Sequence, residues 1–367
     1  MWGREATTLE GVDMRVVFAV PGDIAARTGG TIYDRSLMAA LASAGHEVRH
    51  LPLPAAFPWP SPDDMAATAR ALGSIPDESI VIVDGLALGA VAPNVLDGLD
   101  AALVALVHHP LARETGLSED QAAAFFASER ETLAHAAHVL VPSPHTARVL
   151  ISEYCVPEPK ITVAPPGVRR PAAPPALAAP PHIVSVGLLS PRKGHDVLLH
   201  ALSQITDLPW QAVIAGRAHE AAYAQKIEGM VADLGLAARV SLLGEVSEAT
   251  LDDLYARATV FALASRYEGY GMVFSEALAA GLPIVACRAG AVPETVPAEA
   301  GLLVDPDDPA AFAGALRTLL SDPEARAVRA AAAARFGAKL PSWTDTARIV
   351  AENLAHLAPH RGPRSHL

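Results

Sequence analysis

The chain has 367 residues, 51% of them hydrophobic, and a formal charge of −12 at pH 7. That length suits two domains with substantial cores, and the acidic balance argues against nucleic acid as a partner and against a broad basic membrane patch, leaving room only for weak peripheral membrane association through a local one. No apolar run reaches the roughly 18–20 residues of a membrane span, and the two cysteines, Cys155 and Cys287, give neither a disulfide framework nor metal spacing, which fits a reducing cytoplasm.

Residues 1–13 carry Arg4, Glu5, Glu10 and Asp13 and no apolar core, so they read as an upstream extension without a signal peptide. Residues 14–20 form an apolar run suited to a buried strand. A loop leads to Gly29-Gly30, and residues 31–44 place Ile32, Leu37, Met38 and Leu41 at helical spacing, closed by Gly45. A second strand spans 48–53. Strand, glycine loop, helix and strand open a doubly wound α/β domain. The loop lacks G-x-G-x-x-G, so NAD is not expected. Residues 52–62 are Pro-rich irregular chain, with Phe57 and Trp59 expected to be exposed.

Strands at 80–83 and 103–107 end in Asp84-Gly85 and His108-His109-Pro110. Ligand crevices in open α/β sheets lie beyond the carboxyl ends of strands. A histidine there can hydrogen-bond a hydroxyl or a leaving oxygen; His108 is the first candidate and His109 the alternate. A helix at 121–137, a strand at 139–141, a helix opened by Ser143 and a strand at 161–164 complete a first domain over 14–169. Prolines at 171, 174, 175, 180 and 181 make 170–181 a stiff, extended linker.

The alternation restarts over 182–341. A strand at 183–186 runs into Gly187-Leu188-Leu189-Ser190-Pro191-Arg192-Lys193-Gly194 and a helix at 195–202. The strand at 210–216 precedes Arg217, and the strand at 240–243 precedes Gly244-Glu245-Val246. Helices at 223–234, 250–258, 309–320 and 323–336 alternate with strands at 260–264, 283–287 and 301–304. A C-terminal helix lies within 342–358, and the tail from 360 reads as disordered.

The organising stretch is Ser265-Arg266-Tyr267-Glu268-Gly269-Tyr270-Gly271-Met272-Val273-Phe274-Ser275-Glu276-Ala277-Leu278. Glu268 falls on a strand-to-helix loop and Glu276 about two turns beyond. Gly269 and Gly271 let backbone N–H groups approach a ligand, and the helix start adds a positive dipole end. This suits an anionic group that also carries hydroxyls, with phosphate at the helix start and carboxylates accepting from ribose or sugar. The E-G-Y-G-x-x-x-x-E-A pattern, followed by G-L-P-I-V, resembles the signature of the retaining GT-B glycosyltransferases of family 4. The loop at 187–194 resembles that family's donor-phosphate site.

The resemblance runs over nearly the whole chain from residue 14. It implies a GT-B fold: two doubly wound Rossmann-like α/β domains facing each other across a cleft, the C-terminal helix crossing back to the first, acceptor-side domain. It implies metal-independent transfer of a sugar from a nucleotide sugar to a saccharide, lipid or small-molecule acceptor, with no cofactor. His108, Lys193 and Glu268 would be catalytic. Gly30, Arg192, Lys193, Val246, Glu268, Gly269, Tyr270, Gly271, Met272 and Glu276 would bind the donor. Two departures stand out. Leu188 occupies a place where the family commonly has arginine, and Arg217 is a candidate to compensate. The family's Asn-Gly-Val-Asp is replaced by Pro166-Gly-Val-Arg169, so no polar role is assigned to 166 or 169. The 14 histidines show no metal-ligand spacing, and no D-x-D lies near a strand end of the inferred cleft. The rival readings are a nucleotide-sugar-binding homologue without activity, an epimerase or phosphorylase on the same two-domain plan, and a membrane-surface enzyme acting on lipid acceptors.

Overall fold

The computed structural model describes residues 14–170, 176 and 178–358. The upstream extension, much of the linker and the disordered tail expected from the sequence lie outside the described residues.

Runs of aliphatic and β-branched residues become the strands of two parallel sheets. In chain order the first half comprises β1 (Arg15–Pro21), α1 (Gly29–Ser43), β2 (Glu47–Leu53), α2 (Pro62–Leu72), β3 (Ile80–Asp84), α3 (Gly85–Leu88), β4 (Ala102–Leu106), α4 (Glu119–His135), β5 (His138–Val141), α5 (Pro144–Ser152) and β6 (Ile161–Val163). The second comprises β7 (His182–Val186), α6 (His195–Ser203), β8 (Gln211–Ala215), α7 (Ala221–Asp233), β9 (Val240–Gly244), α8 (Glu248–Arg257), β10 (Val260–Leu263), α9 (Met272–Ala279), β11 (Ile284–Cys287), α10 (Val292–Thr295), β12 (Gly301–Val304), α11 (Pro309–Ser321), α12 (Pro323–Gly337) and α13 (Trp343–Leu354).

Each sheet has six strands, ordered β2-β1-β3-β4-β5-β6 and β12-β11-β10-β7-β8-β9. Central strands such as β3 and β10 are buried throughout, because helices cover both faces. The order reverses between β1 and β3 in the first sheet and between β7 and β10 in the second. Such switch points open a crevice at the carboxyl ends of the strands. Asp84 ends β3, and the loops that leave β4, β7 and β10 carry His108, Lys193 and Glu268, so topology aims all four at that edge.

α2 has no counterpart in the sequence reading. It starts with Ser61 as N-cap, Pro62 in the first turn and Asp64 closing a capping box, so the Pro-rich stretch is partly a helix start. Phe57 is buried, against expectation, and joins the first core, whereas Trp59 is exposed and lies against Phe125 with ring centroids 4.8 Å apart. α13 returns to the first half: Ala347, Val350 and Leu354 share a core with Val16, Phe18, Leu37 and Leu41. Thr346 Oγ1 donates to the Pro165 carbonyl at 2.7 Å, and Trp343 packs edge-on against Tyr33. No described helix is long and apolar enough to cross a membrane.

Candidate functional site

The loop from β7 turns back at Lys193, whose Nζ donates to Glu268 Oε1 at 2.6 Å. Ser265 Oγ donates to the same oxygen, also at 2.6 Å, and Arg192 stands 3.5 Å from Oε2. Burial pushes the Glu268 carboxyl up, but the charges of Lys193 and Arg192 outweigh it and hold the group below its ordinary value. Burial likewise lowers Lys193, against the pull of Glu268. The two therefore form a buried ion pair with a hydroxyl donor on the anion.

The halves meet on either side of that pair. Arg192 Nε donates to Glu114 Oε1 of the first half at 3.0 Å, and His109 Nε2 lies 3.1 Å from Glu114 Oε2. Burial would raise the Glu114 carboxyl; the His109 hydrogen bond and the Arg192 charge carry it well below the usual carboxylate range. Ser143 Oγ and Thr146 Oγ1 donate to the Gly269 carbonyl at 2.6 and 3.2 Å. Gly269 is a glycine for a steric reason: a Cβ there would fall 2.1 Å from the His108 carbonyl oxygen. The backbone of the glutamate loop thus rests directly on the histidine loop.

His108 Nε2 lies 3.0 Å from Asp34 Oδ1 and 3.4 Å from Asp84 Oδ2, and its ring packs edge-on against Tyr33. Burial works against the imidazolium, yet the two carboxylates raise His108 to about 10. Burial and then the Asp84 charge push Asp34 up to about 7, while the His108 hydrogen bond overcomes burial to hold Asp84 down. Asp34 Oδ2 is buried without a hydrogen-bond partner. These three residues offer one ligand atom each within 4.8 Å of one another, so a divalent cation could also be held there. Gly30 lies beside this cluster; a Cβ added to it would come 3.2 Å from the His108 ring.

Glu276, on α9, accepts from Tyr255 Oη at 2.8 Å, and burial raises its carboxyl. The pair lines an open pocket together with Leu251, Asp252 and Arg169. Arg169, to which the sequence reading assigns no polar role, binds both Asp252 oxygens at 2.5 Å. The Val246 carbonyl accepts from Arg27 Nη1 at 2.7 Å across the crevice. Gly271, with φ of 83°, starts α9; Met272 packs against the first-half core; and the Tyr270 carbonyl accepts from Thr295. Arg217 makes no side-chain hydrogen bond or ion pair among the described residues, and its Nε is buried.

The residues that sequence reasoning did not assign are Asp34, Asp84, Ser265, Ser143 and Thr146. Asp84 had a usable signal, as the last residue of a strand at the switch point. Asp34 had a weaker one, four residues after Gly30 on the same helix face. The contacts of Glu114, Ser143 and Thr146 span the two halves and have no local signature.

Residues 172–336 match the family model of glycosyl transferases group 1, and residues 24–170 match that of Glycosyltransferase Family 4. A D-inositol 3-phosphate glycosyltransferase from Corynebacterium efficiens is 35% identical over 180 residues, covering 47% of this chain and 42% of that protein. One from Mycolicibacterium vanbaalenii is 33% identical over 267 residues, covering 64% and 57%. A GDP-mannose-dependent alpha-(1-6)-phosphatidylinositol monomannoside mannosyltransferase from Mycolicibacterium smegmatis is 33% identical over 48% of each chain. The matches span about half the length of these curated relatives. Among solved structures, sucrose-phosphate synthase from Thermosynechococcus elongatus superposes with a TM-score of 0.81 at 24% identity, covering 94% of this chain and 99% of that one. Anabaena Alr3699/HepE in complex with UDP and glucose gives 0.76 at 18% identity, covering 94% and 100%. These likenesses show the GT-B fold.

Proposed function

Because this chain belongs to glycosyltransferase family 4, we propose that it moves a hexose, with retention, from a nucleotide sugar to an acceptor hydroxyl. The observation that carries the reading is the Lys193–Glu268 pair of the second half, seated on the His108 loop of the first. In such a transfer the anomeric carbon gains positive charge and the departing diphosphate gains negative charge, so preorganised donors facing the diphosphate supply most of the catalysis. Lys193, Arg192 and the backbone N–H groups at the start of α9 are those donors. Glu268, drawn off Lys193 by the incoming phosphate, accepts from sugar hydroxyls. Glu276 accepts from the ribose. His108, held by Asp34 and Asp84, orients the sugar at its reacting carbon.

Relatives named for inositol phosphate and phosphatidylinositol mannoside acceptors, and a neighbour holding UDP and glucose, support a nucleotide-sugar donor and a polyhydroxylated acceptor. A cytoplasmic setting, with at most weak peripheral membrane contact, accompanies this reading. The reaction is proposed to need no metal. If so, EDTA leaves the rate unchanged within about twofold, whereas activity lost to EDTA and restored by a divalent cation would overturn that and make Asp34, Asp84 and His108 the first cluster to mutate.

The test is a thermal-shift panel of UDP-, GDP- and ADP-sugars, followed by product analysis with the stabilising donor. One donor should raise Tm by mass action. Lys193→Ala and Glu268→Ala should lose transfer by at least about 100-fold. If no nucleotide sugar shifts Tm or is consumed, the proposal fails; if one binds but neither hydrolysis nor transfer follows, the chain is a binding homologue.

A further inference from the structure

We infer that Arg217 is a further cation of the donor's diphosphate site, beside Lys193 and Arg192, taking over from the side chain missing at Leu188; the inference rests on the nucleotide-sugar reading above. β7 and β8 are neighbours, and their pairing continues past the strands into the two loops at the crevice edge. Gly187 N donates to the Ala215 carbonyl at 2.9 Å, Leu189 N to the Arg217 carbonyl at 2.9 Å, and His219 N to the Leu189 carbonyl at 3.2 Å. The two loops touch backbone to backbone at Gly216, where a Cβ would fall 1.9 Å from the Gly187 carbonyl oxygen. On the other side of Gly187 lies the stem of Lys193: a Cβ added to Gly187 would come 3.4 Å from Lys193 Cδ. The Lys193 stem and the backbone leading into Arg217 therefore both border the turn at Gly187-Leu188.

Their partners differ. Lys193 is paired with Glu268, Arg192 with Glu114 and Glu268, and Arg266 with Asp196 and Asp307. Arg217 is half-buried, makes no side-chain hydrogen bond or ion pair among the described residues, and keeps its Nε buried without an acceptor. A permanent cation with a desolvated, unsatisfied N–H is costly unless an anion completes it, and the planar guanidinium suits two phosphate oxygens. Leu188 brings no charge to this turn, so Arg217 adds to Lys193 and Arg192 the charge that a dianionic group needs here.

The experiment is calorimetric titration of the full chain with UDP, GDP and ADP and with the matching nucleosides. The proteins compared are wild type, R217A, R217Q and the double variant L188R/R217A. For the diphosphate that wild type binds, R217A and R217Q should weaken affinity about 10- to 100-fold, the range for one charge-assisted hydrogen-bonded contact. The nucleoside should bind all four proteins alike. L188R/R217A should regain most of the lost diphosphate affinity, which a merely structural role for Arg217 would not allow; R217Q keeps the test open should R217A misfold. Diphosphate affinity unchanged in R217A and R217Q, or an equal loss for nucleoside and diphosphate, overturns the inference alone. Absence of binding by wild type to every probe overturns the nucleotide-sugar reading and this inference with it.

Discussion

Glu129 is buried in α4, where it accepts from the backbone N–H groups of Leu111 at 2.6 Å and Ala112 at 3.3 Å and from Tyr154 Oη at 3.2 Å. It therefore pins the turn that follows His108-His109-Pro110. Burial pushes its carboxyl up to about 7, against these three hydrogen bonds. A carboxyl raised on folding stabilises the fold fully below its unfolded value, and the contribution fades as pH climbs through the folded one. Wild type should lose about 2–3 kcal/mol from this group between pH 5 and 8, and Glu129→Gln should not. Denaturant titrations of both proteins across that range would decide; a wild-type-minus-variant difference flat with pH would refute the assignment. Gly269 gives a sharper steric test. With the His108 carbonyl in the way, Gly269→Ala should lower transfer far more than it lowers Tm, because the two loops must part at the site itself. Activity retained at wild-type level would show that the loops meet differently. At this scale the sequence was informative where one loop carries its own chemistry, as with Lys193 and Glu268. It was silent where a residue matters through a partner on another element. Nothing local to Asp34 or Glu114 says that a histidine or an arginine waits for it.

Among the elements, the strands were legible because buried parallel strands read as unbroken aliphatic runs. Helices were legible through apolar residues at helical spacing, as in α1, and through a capping residue such as Ser143. α2 escaped because the prolines before it also occur in irregular chain, and only Pro62 sits in a helical first turn. α13 carries its own lesson. It follows the second half in sequence but buries Ala347, Val350 and Leu354 in the first half's core. Its apolar stripe announces burial; the family resemblance, not the stripe, named the first domain as the surface it meets. Leu354→Ala should cost about 2–4 kcal/mol, and since α13 bridges the halves, both should lose stability together in one transition. Two separated transitions in the wild-type melt would argue that the helix does not couple them.

Across the whole molecule, the loops that leave the two switch points meet, Gly269 on His108 and Arg192 on Glu114. Contacts from both halves hold the crevice shut: Ser143 and Thr146 to Gly269, Glu114 to Arg192, Arg148 to Glu294 and Arg27 to Val246. A triple variant, S143A/T146A/E114Q, should populate a more open form, seen as a larger radius of gyration in X-ray scattering that shrinks when donor is added. Identical scattering with and without the substitutions would mean that α13 alone sets the spacing.

The Lys193–Glu268 contact leads further than its 2.6 Å suggests. A pocket whose lysine already has a counter-ion is a poor sink for stray anions. A phosphate that displaces Glu268 strands a buried carboxylate, unless the same molecule brings hydroxyl groups to rehouse it. Recognition of the two ends of the donor is thereby welded into one event. Inorganic pyrophosphate should compete weakly, and the intact nucleotide sugar should bind more tightly than its separate pieces would suggest. Discrimination against the cell's abundant free phosphates would then come from a carboxylate that never touches them.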